Sequence, residues 1–196
     1  MIFCLATTKE AAEIARIHKA EIKKGFLSSL KICFLEKIYL AIIKSDTSFC
    51  IVAKEGGEII GFISGTTDIS KLYIFFLKRY FFQSVFILFP KIFRLQFLKK
   101  IVEILFYPKK EKELPKAELL TIAVKKEFQR NGVGPEMLKV FVSEMEKRGI
   151  KKFKVIVGED LKPAIRFYEK NGFNFSKNII IHNNKISKVY VYKIKN

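Results

Sequence analysis

Cysteine and histidine are scarce in this chain of 196 residues, and acid is outnumbered by base. The three cysteines, Cys4, Cys33 and Cys50, are odd in number and far apart. No two of them form a C-x-x-C, so neither a disulfide framework nor a zinc ribbon is expected. They read as reduced core thiols of an intracellular, cytoplasmic protein. Two histidines, His18 and His182, cannot by themselves build a metal cluster or a Cys/His catalytic pair, so both read as surface or helix-face residues and no metal is expected. No apolar stretch approaches the ~18 residues of a spanning helix. The most hydrophobic region, 73–107, is cut by Lys78, Arg79, Lys91, Arg94, Lys99 and Lys100. Met1 to Ala6 is too short for a signal peptide. The phosphate-loop pattern G-x-x-x-x-G-K-[ST] and the dinucleotide pattern G-x-G-x-x-G are both missing.

The shortage of acid leaves 37 Lys and Arg against 19 Asp and Glu, a net charge of +18. Most of the cations are lysine, whereas bidentate readers of phosphate and bases favour arginine. A nucleic-acid partner is therefore not expected. A solvated lysine-rich surface and a smaller polyanion ligand both remain open.

What is present reads as one α/β domain. Phe3–Ala6 is strand-like, and Thr7 to Glu10 forms a capping box ahead of a helix carrying Ala11, Ile14, Ala15, Ile17 and His18 on one face. A second amphipathic helix follows Ser28-Ser29, with Leu30, Phe34, Leu35, Ile38, Ile42 and Ile43 inward. Strands 49–54 and 58–66 flank a hairpin turn at Glu55-Gly56-Gly57. Further strands are expected at 118–124, 152–157, 175–182 and 188–194, the last two joined at Asn183-Asn184. Helices are expected at 134–148 and 161–171, the latter closed by Gly172. Residues 68–116 read as an inserted segment of two or three short helices broken at Pro90 and Pro108. The order β-α-α-β-β-insert-β-α-β-α-β-β implies a mixed sheet.

The densest chemical signal runs from Ala117 to Leu138. An apolar strand leads into the loop Gln129-Arg130-Asn131-Gly132-Val133-Gly134, and a helix begins at once. Two glycines allow close backbone approach, and the helix start offers free N–H groups to an anion such as a pyrophosphate. Pro135 falls in the first helical turn, where its missing N–H costs little.

This stretch resembles the acetyl-CoA motif of the GCN5-related N-acetyltransferase superfamily. Residues 163–173, PAIRFYEKNGF, are similar to the second signature of that superfamily. The resemblance implies a mostly antiparallel twisted sheet flanked by helices, with the insert between the third and fourth strands. It implies acetyl-CoA as cosubstrate, its pyrophosphate held by Gln129, Arg130, Asn131, Gly132, Val133 and Gly134. The backbone of Ile122, Ala123 and Val124 would pair with the pantetheine arm, and Ala164 and Phe167 would complete the cofactor site. A backbone N–H there would polarise the thioester carbonyl. Tyr168 corresponds to the acid that protonates the leaving thiolate, a step suited to a phenol that stays protonated at neutral pH. Glu118 stands where some members carry a catalytic base; a solvated carboxylate at a strand start is the other reading. Two positions depart from the pattern. Leu161 replaces a common Asn, and Pro135 removes a donor.

The resemblance assigns acceptor choice to the connection between the first two helices, here Lys24 to Ser29 with Phe26 and Leu27 as candidate contacts, and to the insert. The expected acceptor is a primary amine of an amino-sugar, a small molecule or a protein. A coenzyme-A-binding module without turnover and a peripheral membrane protein are the rivals. From Lys71 to Glu113 the insert carries ten cations and three acids among many aromatics. Its first reading is a helical cap burying aromatics on the sheet or in a homodimer interface. Contact with an anionic membrane surface ranks second, and nucleic acid last.

Overall fold

The computed structural model describes residues 1–25, 27–92, 113–180 and 186–194. Phe26, His182, the turn at Asn183-Asn184 and the expected break at Pro108 lie outside these residues. The chain runs β1 (Ile2–Leu5), α1 (Ala11–Glu21), α2 (Ile32–Lys44), β2 (Ser48–Glu55), β3 (Glu58–Thr66), α3 (Ile69–Ile92), β4 (Glu118–Val124), α4 (Val133–Lys147), β5 (Lys152–Gly158), α5 (Lys162–Lys170), β6 (Asn174–Ile180) and β7 (Ile186–Lys193). The expected element order is the observed one, with most boundaries moved by one or two residues.

The strands form one seven-stranded sheet in the order β1-β2-β3-β4-β5-β7-β6. Every neighbouring pair is antiparallel except β4 with β5. The period-two alternation of side chains divides β2 between two cores. Phe49, Ile51 and Ala53 join the layer under α4 and α5, with Met137, Phe141, Phe153 and Tyr168. Cys50 and Val52 join the opposite layer under α1, α2 and the start of α3, with Ile14, Leu35, Tyr39 and Phe62. A strand buried on both faces reads as an unbroken apolar run, which is what residues 49–53 show.

Local chemistry sets the joints. Glu10 reaches back to the Thr7 N–H at 2.6 Å, so the capping box forms and closes a short 3-10 turn ahead of α1. Gly56 and Gly57 both take left-handed dihedrals, φ +57° and +84°, as a two-residue primed hairpin turn requires. Leu30 is buried but precedes α2 instead of lying within it. One expectation fails outright: α3 does not break at Pro90 but continues to Ile92.

Candidate active site

The site starts from a defect in β4. Ser64 of β3 pairs with Thr121 and Gly65 pairs with Leu119, which leaves Leu120 as an extra residue. A β-bulge of this kind bends its strand and increases the local twist. The parallel pairing of β4 with β5 stops at the same place, after Glu118↔Lys154 and Leu119↔Val155. Beyond Leu119 the two strands have no paired residues.

The pleat decides which backbone groups face this opening. Lys125 N–H donates to Ile60 O at 2.8 Å, so Lys125 is turned toward β3. Successive residues alternate, so Ala123 is turned toward β3, and Ile122 and Val124 turn their N–H and C=O away from it, toward the gap. The Gln129 side chain donates to Val124 O at 2.8 Å, which ties the following loop to this edge. Ile122 N–H has no strand partner on that side.

Beside the gap lies the loop of residues 129–134. Arg130 takes φ +67° and Gly132 φ +80°, and Gly132 is the N-cap of α4. Glu136 N–H already donates to Gly132 O at 3.2 Å, and Pro135 has no N–H. The free donors of the first turn are therefore Val133 and Gly134, which face an incoming anion with the positive end of a 15-residue helix behind them. Gly134 has a packing reason as well. A Cβ there would stand 3.3 Å from the ring of Phe167, so the start of α4 and the face of α5 are in contact. This contact brings the two sequence signatures together. Ala164 and Phe167 are partly buried against the same core.

Tyr168 is buried in that core, with Phe167 and Phe173 at centroid distances of 5.4 and 5.1 Å. Burial pushes its phenol well above the ordinary tyrosine range. Glu118 lies at the root of the gap. Burial raises its carboxyl pKa, and the ammonium of Lys154 opposes that rise. Lys154 Nζ stands 3.2 Å from Glu118 Oε2 without aligning as a hydrogen bond, and it also donates to the Pro115 carbonyl. Tyr73 of α3 lies within the electrostatic reach of Glu118, and its own phenol is pushed up chiefly by burial. The carboxylate is thus a buried, paired group and not a solvated strand start.

Several expectations are refined. Leu161 occupies the N-cap of α5 and packs on Gly158 with no side-chain cap, so it supplies no polar contact where the resemblance implies one. Lys125, next to β4, pairs with Glu58 and approaches Glu13 at 3.9 Å. Leu27 packs on the α1–α2 core with Tyr73 and Leu120. The sequence reading missed Lys154 and Tyr73. A lysine between apolar neighbours in Phe153-Lys154-Val155 was the available signal for the first. Among the described residues, no group of three or more His, Cys, Asp or Glu could hold a metal ion, and no helix is long and apolar enough to cross a membrane.

Comparison with known proteins places this arrangement. The acetyltransferase (GNAT) family pattern matches residues 14–173. Over 61 residues the chain is 39% identical to the ribosomal protein bS18 alanine N-acetyltransferase of Escherichia coli K12. That stretch is 31% of this chain and 41% of the relative, less than half its length. The fold is similar to that of Ard1 from Thermoplasma volcanium, at TM-score 0.64 and 16% identity over 100% of this chain and 98% of that one. It is similar as well to a PaiA N-acetyltransferase from Thermoplasma acidophilum solved with coenzyme A, at TM-score 0.58 and 15% identity over 99% and 100%.

Proposed function

The chain belongs to the acetyltransferase (GNAT) family, and from that premise we propose that it transfers an acetyl group from acetyl-CoA to a primary amine by direct attack in a ternary complex. The observation that carries the proposal is the open edge of β4 beside the free N-terminus of α4. An extended amide-bearing arm fits an unpaired strand edge, and a pyrophosphate fits a helix start. The residues present therefore suit coenzyme A, and family structures solved with coenzyme A or acetyl-CoA support its use.

Acetyl-CoA supplies the activated thioester. Ile122 N–H, facing the gap, donates to the carbonyl oxygen where negative charge develops. Val133 and Gly134 N–H, with Arg130, hold the phosphates. Tyr168 stays a neutral phenol in its buried position and offers its proton to the leaving sulfur. Glu118 receives the proton of the attacking amine; burial raises its pKa toward that task, and Lys154 opposes the rise. For the acceptor, the likeness to a bS18 alanine N-acetyltransferase supports a protein N-terminal amine. Amino-sugars and small polyamines are the other classes.

Isothermal titration of the full chain with acetyl-CoA tests the cofactor half of the reading. We expect saturable binding that weakens at least tenfold when Gly132 becomes Val, a β-branched residue forced to positive φ. Absence of binding up to millimolar acetyl-CoA would remove the reading.

A further inference from the structure

The segment from the end of α1 into the α1–α2 connection touches both loops that border the gap. Glu21, the last residue of α1, accepts from Gln129 Nε2 at 3.3 Å, and Lys24 pairs with Asp160 at 2.8 Å. The first contact reaches the loop after β4 and the second the loop after β5, so this connection bridges the two walls. Leu27 of the connection packs against the same core as Leu120 of β4, on the face opposite α4.

We propose that His18 and Tyr39 are positioning residues that fix this connection as the amine-binding wall, an inference that rests on the acetyltransferase reading above. His18 on α1 and Tyr39 on α2 are 2% and 1% exposed. His18 Nδ1 and Tyr39 Oη lie 2.6 Å apart, and the ring centroids are separated by 5.8 Å. Burial lowers the imidazole pKa to about 4, so the ring is neutral at pH 7, with one donor and one acceptor. The second nitrogen, Nε2, stands 3.5 Å from Ser28 Oγ. Tyr39 Oη has the Thr121 side chain of β4 as its other polar neighbour. A buried polar chain therefore runs from β4 through α2 and α1 to Ser28.

The next residue on α1 reinforces the chain. Lys19 Nζ donates to the Ser28 carbonyl and, at 2.8 Å, to the Leu30 carbonyl. Inside the turn, Leu30 N–H donates to Leu27 O at 3.0 Å. Apolar residues of the same size would fill the core equally well. They would not fix the direction of the turn, because only a hydrogen-bonded chain is geometrically selective.

Tyr39→Phe deletes the hydroxyl and keeps the ring edge-on to Phe62, 5.2 Å away. His18→Gln is the companion variant. In both, the Leu30 amide should exchange with solvent about five- to tenfold faster, the ratio that loss of one net hydrogen bond gives, while amides of β2 and β3 keep their rates. Acetyl-CoA affinity should stay within twofold. Tested on an alanine-leading hexapeptide, glucosamine and spermidine, the variants should raise the KM of whichever amine the wild type turns over, with kcat retained. Unchanged Leu30 exchange in both variants overturns the proposal, as does a parallel loss of acetyl-CoA affinity. A wild type that does not bind acetyl-CoA defeats the acetyltransferase reading instead, and the exchange rates still decide whether the pair holds the turn.

Discussion

Burial acts in opposite directions on the acids and on the base of this protein, and each shift has its own consequence. At Tyr168 it stabilises the neutral phenol. Replacing Tyr168 with Phe keeps the ring in contact with Phe167 and Phe173 and removes only the hydroxyl that carries the proton. We expect kcat to fall by about a hundredfold or more, with acetyl-CoA affinity unchanged by titration. A variant with full rate would remove the acid assignment. At His18 burial disfavours the charged form and lowers the pKa to about 4. Between that value and the unfolded value near 6.5, the unfolded chain binds a proton that the native chain does not. Stability therefore falls as pH is lowered through this window, by about 3 kcal/mol in all. Denaturant titrations at pH 7 and pH 4.5 should show this loss, and His18→Gln should reduce it. Lys19 contributes a smaller push in the same direction.

At the scale of the element, the packing of α4 on the sheet depends on two glycines of β3. A Cβ on Gly65 would stand 2.5 Å from the ring of Phe141, and one on Gly61 would stand 2.9 Å from Ala123 O. Gly65→Ala should therefore destabilise the fold by about 1–3 kcal/mol, read as a melting temperature lowered by roughly 2–10 °C. A melting curve unchanged from wild type would show that α4 can shift freely. These glycines illustrate what the sequence could and could not display. Strands and helices were legible because periods of 2 and 3.6 are local properties. The 129–134 loop was legible because two glycines and a helix start stand side by side. The bulge at Leu120 was not, since it exists only in the pairing of β4 with β3. Lys154 beside Glu118 is likewise a pairing across parallel strands 36 residues apart in the chain. The Pro90 expectation applied a helix-breaking rule to a proline that lies within α3.

Across the whole molecule, the +18 charge is spread over surface and interior. Lys54, Lys125, Lys139, Arg16 and Arg148 are held in ion pairs on or near the surface. Such pairs contribute little individually. Lys154 is different, since its charge is buried against Glu118. The two signatures, residues apart in sequence, converge where Gly134 meets Phe167, and the sheet opens between β4 and β5 just there. The proposed cofactor cleft and the proposed acceptor wall thus both border one bulged strand in a sheet covered on both faces.

Acetyl transfer to an amine is tested most directly by following free thiol release with the full chain, acetyl-CoA and the three amine probes. Thiol release that requires an amine, is matched by an N-acetylated product and collapses in Tyr168→Phe is the predicted result. Tight acetyl-CoA binding with no amine-dependent thiol release from any probe would contradict it.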